Sequence, residues 1–242
     1  HIILTGSPAP ALGDAHTTYS DAFVRTVGWC VTEGHYLRGS VRRHCVSISQ
    51  KADNHADEIR QTLLEGGIPH KEYSWQNNVV VFNCTGEAIT EIYNNVAPNR
   101  VLSTNFILSL SQHQRLLLIR TMVDGDGWYR PSGGMSYVQK DKDHIDRFIM
   151  LCTIAGLTTS TVKRTYKTPV SGRQPDGGTS EVYTVNIYQK PKLSCKSERI
   201  DFHGGRATVG GRREQKSNTP TQAHEGAIWC PQTEYGTFVC RR

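Results

Sequence analysis

The chain repeats itself, and that constrains its fold more than any bulk property does. Shifted by 89 residues, Ser47, Gln50, Lys51, His55, Asp57 and Gly67 meet Ser136, Gln139, Lys140, His144, Asp146 and Gly156. Both windows read as a strand, then an amphipathic helix, then a glycine turn. The strands are CVSISQK and GMSYVQK; the helices are DNHADEIRQTLLEGG and DKDHIDRFIMLCTIAG. Asp53 or Asn54 in one copy and Asp141 in the other fit helix N-caps, and Gly67 and Gly156 fit the C′ position. A further strand recurs at a shift of 103, where VVVFN (79–83) meets VYTVN (182–186). The larger shift places an insertion in the second copy. TPVSGRQPDGGTS (168–180) has the Gly, Pro and Ser content of a hairpin loop and is the obvious site.

Each copy also opens with a helix. One runs from about Tyr19 through SDAFVRTVGWCVTEG, the other from about Ser111 through QHQRLLLIRTMVDGDG. Their ends align Thr32-Glu33-Gly34 with Gly125-Asp126-Gly127 at a shift of 93. Small residues recur four apart on both, Gly28 with Thr32 and Thr121 with Gly125, as on faces that let two backbones approach closely. Two ordinary core helices with acidic ends are the plainer alternative. The expected fold is α+β, a pair of pseudo-symmetric αββαββα units. The first repeat is placed at 19–98 and the second at 99–200. A segment at 1–18 precedes them, and 201–242 forms a linker and a β-extension.

The remaining bulk properties exclude some classes. Hydrophobic residues at 37% and charged residues at 21% describe a globular chain, not a disordered or fibrous one. A formal charge of +6 permits a nucleic-acid partner without requiring one. Seven cysteines occur with neither C-x-x-C nor zinc spacing, as expected of reduced thiols in an intracellular protein. No apolar run approaches the length of a membrane span, so no membrane partner is expected.

TVGWCVTEG (26–34) and IRTMVDGDG (119–127) resemble the two signature motifs of a LAGLIDADG homing endonuclease in its single-chain, two-repeat form. FILSLSQHQRLLL (106–118) is similar to the lead-in before the second motif, and the likeness covers roughly residues 19 to 200. The resemblance implies that the motif helices pack side by side and that two four-stranded antiparallel sheets form a saddle over double-stranded DNA. It implies a monomer that cuts one phosphodiester on each strand and leaves short 3′ overhangs. Glu33 and Asp126 become metal ligands, one per half, for Mg²⁺, with Mn²⁺ or Ca²⁺ as substitutes. That role suits the residue type: carboxylates at two helix C-termini sit against the negative end of each dipole, and a cation between them relieves the repulsion. Gln50 and Gln139 fall where the family positions the attacking water, or else serve as surface residues. Lys190, with Lys192 as a second choice, fills the place of a basic residue near the scissile phosphate. The first half departs here, since NCTGEAI offers Glu87 and no lysine. Either one basic residue serves both strands or the two sites are unequal. Asp124 points about 200° around the helix from Asp126 and is expected to be a solvated or capping carboxylate. Gly34 and Gly127 are expected to serve left-handed turns and tight entry into the following strand.

Strands lying in a major groove carry long polar side chains at alternate positions. The first half offers Arg38, Arg42, Arg43, His44, Ser47, Ser49, Lys51, Lys71, Tyr73 and Trp75. The second offers Arg130, Tyr137, Lys140, Thr159, Thr161, Lys163, Arg164, Lys167 and Arg173. Beyond about Arg199 the sequence reads as a Gly- and Arg-rich linker. It ends in a hairpin, AIWCPQTEYGTFVCRR, similar to the last strands of phage-type inteins, which implies a bacterial cytoplasm. The alternatives are a non-cleaving LAGLIDADG binder, such as a maturase or regulator, and a protein-splicing fragment. Acidic residues in both motifs oppose the first, and missing splicing nucleophiles oppose the second.

Overall fold

The computed structural model describes residues 19–37, 44–131, 133–168, 178–188, 200–203 and 206–209. Two helices organise it. α1 (Asp21–Thr32) starts at Ser20, whose Oγ accepts from Phe23 N. α5 (Gln112–Asp126) starts at a reciprocal cap, with Ser111 Oγ accepting from Gln114 N and Gln114 Oε1 from Ser111 N. Each cap satisfies amide groups that a helix start leaves without a partner.

Behind α1 follow β1 (Gly34–Leu37), β2 (Cys45–Lys51), α2 (Ala56–Glu65), β3 (His70–Trp75) and β4 (Val79–Cys84). A short α3 (Glu87–Glu91) then runs into a π turn at Ile92–Val96. The strands form an antiparallel sheet in the order β1-β2-β4-β3. After α4 (Thr104–Ser109), α5 leads into β5 (Gly127–Tyr129), β6 (Met135–Gln139), α6 (Lys142–Ile154), β7 (Thr158–Thr168) and β8 (Gly178–Tyr188). These strands repeat the arrangement as β5-β6-β8-β7. The first copy therefore has all seven elements of αββαββα. The second has six, and the place of its last helix lies outside the described residues. The expected insertion lengthens the β7–β8 hairpin, whose ladder runs from Thr158↔Tyr188 out to Thr168↔Gly178.

The chain divides into two units. Everything from α1 to β8 lies in one, Ser7–Lys190, and β9 (Ile200–His203) and β10 (Arg206–Val209) belong to the other. β9 and β10 form an antiparallel hairpin, which corrects the linker reading for these residues. The expected hairpin at the C-terminus lies outside the described residues. No helix among them is long and apolar enough to cross a membrane. Cys30, Cys45, Cys84 and Cys152 are free thiols.

One buried cluster fills the larger unit. It takes Trp29 from α1, Ile48 and Phe82 from the first sheet, Leu118 and Met122 from α5, and Tyr137 and Phe148 from the second half. Burying one aromatic such as Phe82 contributes about 1.5–3 kcal/mol. The α1–α5 seam inside this core is built from the small residues of both motifs. A Cβ on Gly28 would lie 2.7 Å from Thr121 Cγ2, and one on Gly125 would lie 2.3 Å from Thr32 Oγ1. The contacts are reciprocal under the 93-residue shift, so the two helices meet about a local pseudo-dyad.

Three local expectations change. α2 begins at Ala56 with His55 at its N-cap, and neither Asp53 nor Asn54 caps it. Ala52 N donates to Asn78 O at 2.8 Å, which ties residue 52 to the β3–β4 turn and delays the helix. Asp141 does cap α6, accepting from Asp143 N and His144 N. Gly67 and Gly156 do take positive φ after their helices (59° and 74°). Gly34 and Gly127 do not. Gly127 is extended, and both are needed for space: a Cβ would lie 2.2 Å from Cys30 O at Gly34 and 2.2 Å from Ser136 O at Gly127.

Candidate functional site

Glu33 follows the last residue of α1, and Asp126 is the last residue of α5. The glycine after each lets the chain turn directly into a strand, so both carboxylates leave from the same end of the helix pair. Glu33 is held on both sides by backbone, its N–H donating to Trp29 O and its carbonyl accepting from Ser49 N. Gln50 Nε2 donates to Glu33 Oε1 at 3.2 Å. The amide orientation follows from its other contacts, since Gln50 Oε1 accepts from Lys51 N at 2.8 Å and from Asn54 Nδ2 at 3.3 Å. Gln139 Nε2 donates to Asp126 Oδ2 in the same way. Each glutamine ties down one carboxylate oxygen and leaves the other open.

The pair is electrostatically poised. Burial, then the facing Asp126 charge, push the Glu33 carboxyl up to about 7. Burial pushes Asp126 up to about 6. Arg100 opposes both shifts, as do the glutamine hydrogen bonds. Two carboxylates that resist ionising at one spot form a place where a cation is favoured. Among the described residues no group of three or more His, Cys, Asp or Glu could hold a metal. The pair offers oxygen ligands alone, a donor set that fits Mg²⁺, Mn²⁺ or Ca²⁺ and not a zinc cage. Mg²⁺ is commonly held by one or two carboxylates, with phosphate and water supplying the rest.

Asp124 stands apart from the pair. It is half-buried and accepts from the exposed Tyr129 Oη at 2.6 Å. Lys190 and Lys192 lie outside the described residues. Arg100 was absent from the sequence reading because it lies at the very start of the second repeat, outside the windows that align the two copies. The Pro98-Asn99 turn before it was the available signal.

Each sheet has one face against the helices and one face free of them, and the ladders decide which side chains share the free face. In the first sheet Ser47, Ser49 and Lys51 on β2 share it with Lys71, Tyr73 and Trp75 on β3, through β4 partners Asn83, Val81 and Val79. Ser47 Oγ donates to Asn83 Oδ1 at 2.6 Å. Trp75 is 69% exposed, unusual for a tryptophan with no described partner strand beyond it. His44 instead stacks on Tyr93.

In the second sheet Ser136 and Asn186 repeat the Ser47–Asn83 pair, and Arg130 donates to both. Arg164, which pairs with Val182, lies on the same free face. Lys140 follows directly after β6 and is exposed. Four expected DNA contacts fall on the other side. Tyr137 is fully buried and stacks on Phe148 with ring centroids 4.0 Å apart, so it is a core residue. Thr159, Thr161 and Lys163 pair with Ile187, Val185 and Tyr183, and the alternation of the strand puts them on the helix-side face. Lys163 is held there by Glu181 at 2.6 Å. Arg38, Arg42, Arg43 and Arg173 lie outside the described residues, as does the side chain of Lys167.

No known protein-family model matches the chain, and no curated protein does. Among solved structures it is similar to the homing endonuclease I-DmoI in complex with DNA and Mn (TM-score 0.46, 12% identity, covering 69% of this chain and 89% of that one). It is also similar to the homing endonuclease I-WcaI bound to its DNA recognition sequence (TM-score 0.45, 11% identity, 72% and 78%). A third likeness is to the N-terminal LAGLIDADG domain of DUF199/WhiA (TM-score 0.40, 8% identity, 68% and 76%).

Proposed function

We propose that the chain is a site-specific endonuclease for double-stranded DNA that works with a divalent metal. The reading rests on one observation above the others. Glu33 and Asp126, aligned by the repeat, end two helices that meet through reciprocal small-residue contacts, and each carries a glutamine hydrogen bond. A structural helix pair has no use for two half-buried carboxylates at the same end, because each opposes its own helix dipole and repels the other.

Bound between them, a divalent metal would neutralise charge on the phosphate oxygens and supply hydroxide near neutral pH. The residues of the chain do the rest. Glu33 and Asp126 present their open oxygens, and Gln50 and Gln139 keep both carboxylates turned to the same place. The free faces of the two sheets bring Lys51, Lys71 and Tyr73 from one half, and Arg130 and Arg164 from the other, to a DNA duplex. The Ser47–Asn83 pair offers an amide group of the kind that reads adenine in a major groove, whereas the Asn186 amide is engaged by Arg130, Ser136 and Ser160. Lys190, or Lys192, is proposed as the basic group at the scissile phosphate.

A non-cleaving binder would share the sheets but gains nothing from the acid pair. The test is to incubate the chain with a library of long random duplexes and Mg²⁺, and to recover cut ends. Enrichment of one site, cut on both strands and abolished by EDTA, is the expected result. Tight binding to one site with no cut under Mg²⁺ or Mn²⁺ would favour the non-cleaving reading.

A further inference from the structure

Arg100 lies at the very start of the second repeat, and the chain takes an uncommon path to place it. Asn99 and Arg100 both adopt left-handed backbone, with φ of 54° and 68°, which few non-glycine residues do. The turn is tied at both ends: Tyr36 Oη donates to Ala97 O at 3.0 Å, and Ser103 N donates to Val96 O at 2.8 Å. The guanidinium reaches back across the first repeat. Its Nε and Nη2 donate to Val31 O at 2.9 and 2.6 Å, and Nη2 also donates to Thr32 O at 2.6 Å.

Those two carbonyls immediately precede Glu33. The last carbonyls of a helix lack partners within it and carry partial negative charge. Val31 and Thr32 are buried, so water cannot easily serve them. The Thr32 side chain is fixed as well, donating to Gly28 O at 3.0 Å and packing against Gly125. Arg100 thus closes the end of α1 at the point where Glu33 departs. It makes no described hydrogen bond to Glu33 or Asp126, so their open oxygens stay open. Among the described hydrogen bonds, no side chain reaches the last carbonyls of α5.

We propose that Arg100 is a positioning residue for Glu33, acting through the α1 terminus, and that it makes the two halves of the acid pair unequal. The cleavage consequence rests on the nuclease reading; the positioning does not. Arg100 faces Asp126 through its charge as well, but its hydrogen bonds close the end of α1 alone, so the two strands of a DNA target depend on it to different degrees.

The experiment compares wild type, R100Q and R100K as full chains in two arms. Amide hydrogen exchange reads the helix ends without any DNA or metal. In R100Q, exchange in the last turn of α1 should rise at least tenfold while the last turn of α5 is unchanged, with R100K in between. Strand-resolved cleavage of a supercoiled plasmid reads the consequence. R100Q should accumulate nicked circles broken on one particular strand, where wild type yields linear product. Unchanged exchange at the end of α1, or equal acceleration at both helix ends, overturns the positioning role. Equal slowing of both strands overturns the inequality. If wild type leaves DNA intact, the nuclease reading fails, and the exchange arm alone decides the role of Arg100. Should R100Q not fold, R100K decides both arms, since a lysine keeps the charge but cannot bridge both carbonyls with a planar fork.

Discussion

Glu33 carries the most direct consequence at the scale of single residues. In the metal-free chain the fold raises its carboxyl from 4.5 to about 7 and that of Asp126 from 3.8 to about 6. Groups raised in this way favour the folded state fully only below their unfolded pKa values, and that support is lost as pH rises through the folded ones. Stability of the metal-free protein should therefore decline between about pH 4 and pH 7 on their account. E33Q removes the Glu33 share, so urea unfolding followed across this range should give a flatter profile in the variant. Equal slopes in both proteins would contradict the burial of this carboxyl. Divalent-metal affinity should rise over the same window, because the ligands must ionise to bind. Glu33 and Asp126 were legible as candidates through the resemblance of the two motifs, and their metal role is a proposal. Arg100 was not, because what it does depends on a turn at the start of the second repeat and on carbonyls that have no sequence signature.

The small-residue seam belongs to the scale of elements. Gly125→Ala should cost about 1–3 kcal/mol, the usual range for an added methyl group in a packed interface with no room to shift. The added carbon would meet Thr32 Oγ1 and Cβ, which the seam already holds in place. The double variant G125A/T32G moves the small residue to the opposite helix and should recover most of that loss in urea unfolding. An unchanged midpoint for G125A would mean that the helices do not pack as described. Strand positions and the cap at Asp141 were readable, because alternation and capping chemistry are local. β2 falls on CVSISQK, and Asp141 caps α6 as expected. The start of α2 was not readable, since a hydrogen bond from the distant β3–β4 turn sets it. Gly34 and Gly127 show a further ambiguity. A glycine kept for φ and a glycine kept for want of space look the same in sequence, and here space is the reason.

At the scale of the whole molecule, duplication explains both what was readable and what was not. It gave the order of elements, and the family resemblance implied the two four-stranded sheets. Duplication could not say which face of each sheet the helices cover, because alternation defines two faces without ranking them. Tyr137 is buried in the core, and Thr159, Thr161 and Lys163 share the helix-side face of their strand, whereas Ser47 and Arg130 lie on the free face. The halves also diverge on that face: Arg130 donates to Ser136 and Asn186, and the aligned position in the first half is Leu37. The central claim remains the acid pair, and its most direct measurement takes E33Q and D126N against a site cut by the wild-type protein. Both variants should bind that site with nearly unchanged affinity in Ca²⁺ and should fail to cut both strands in Mg²⁺. Double-strand cleavage at the wild-type rate by either variant would contradict the account.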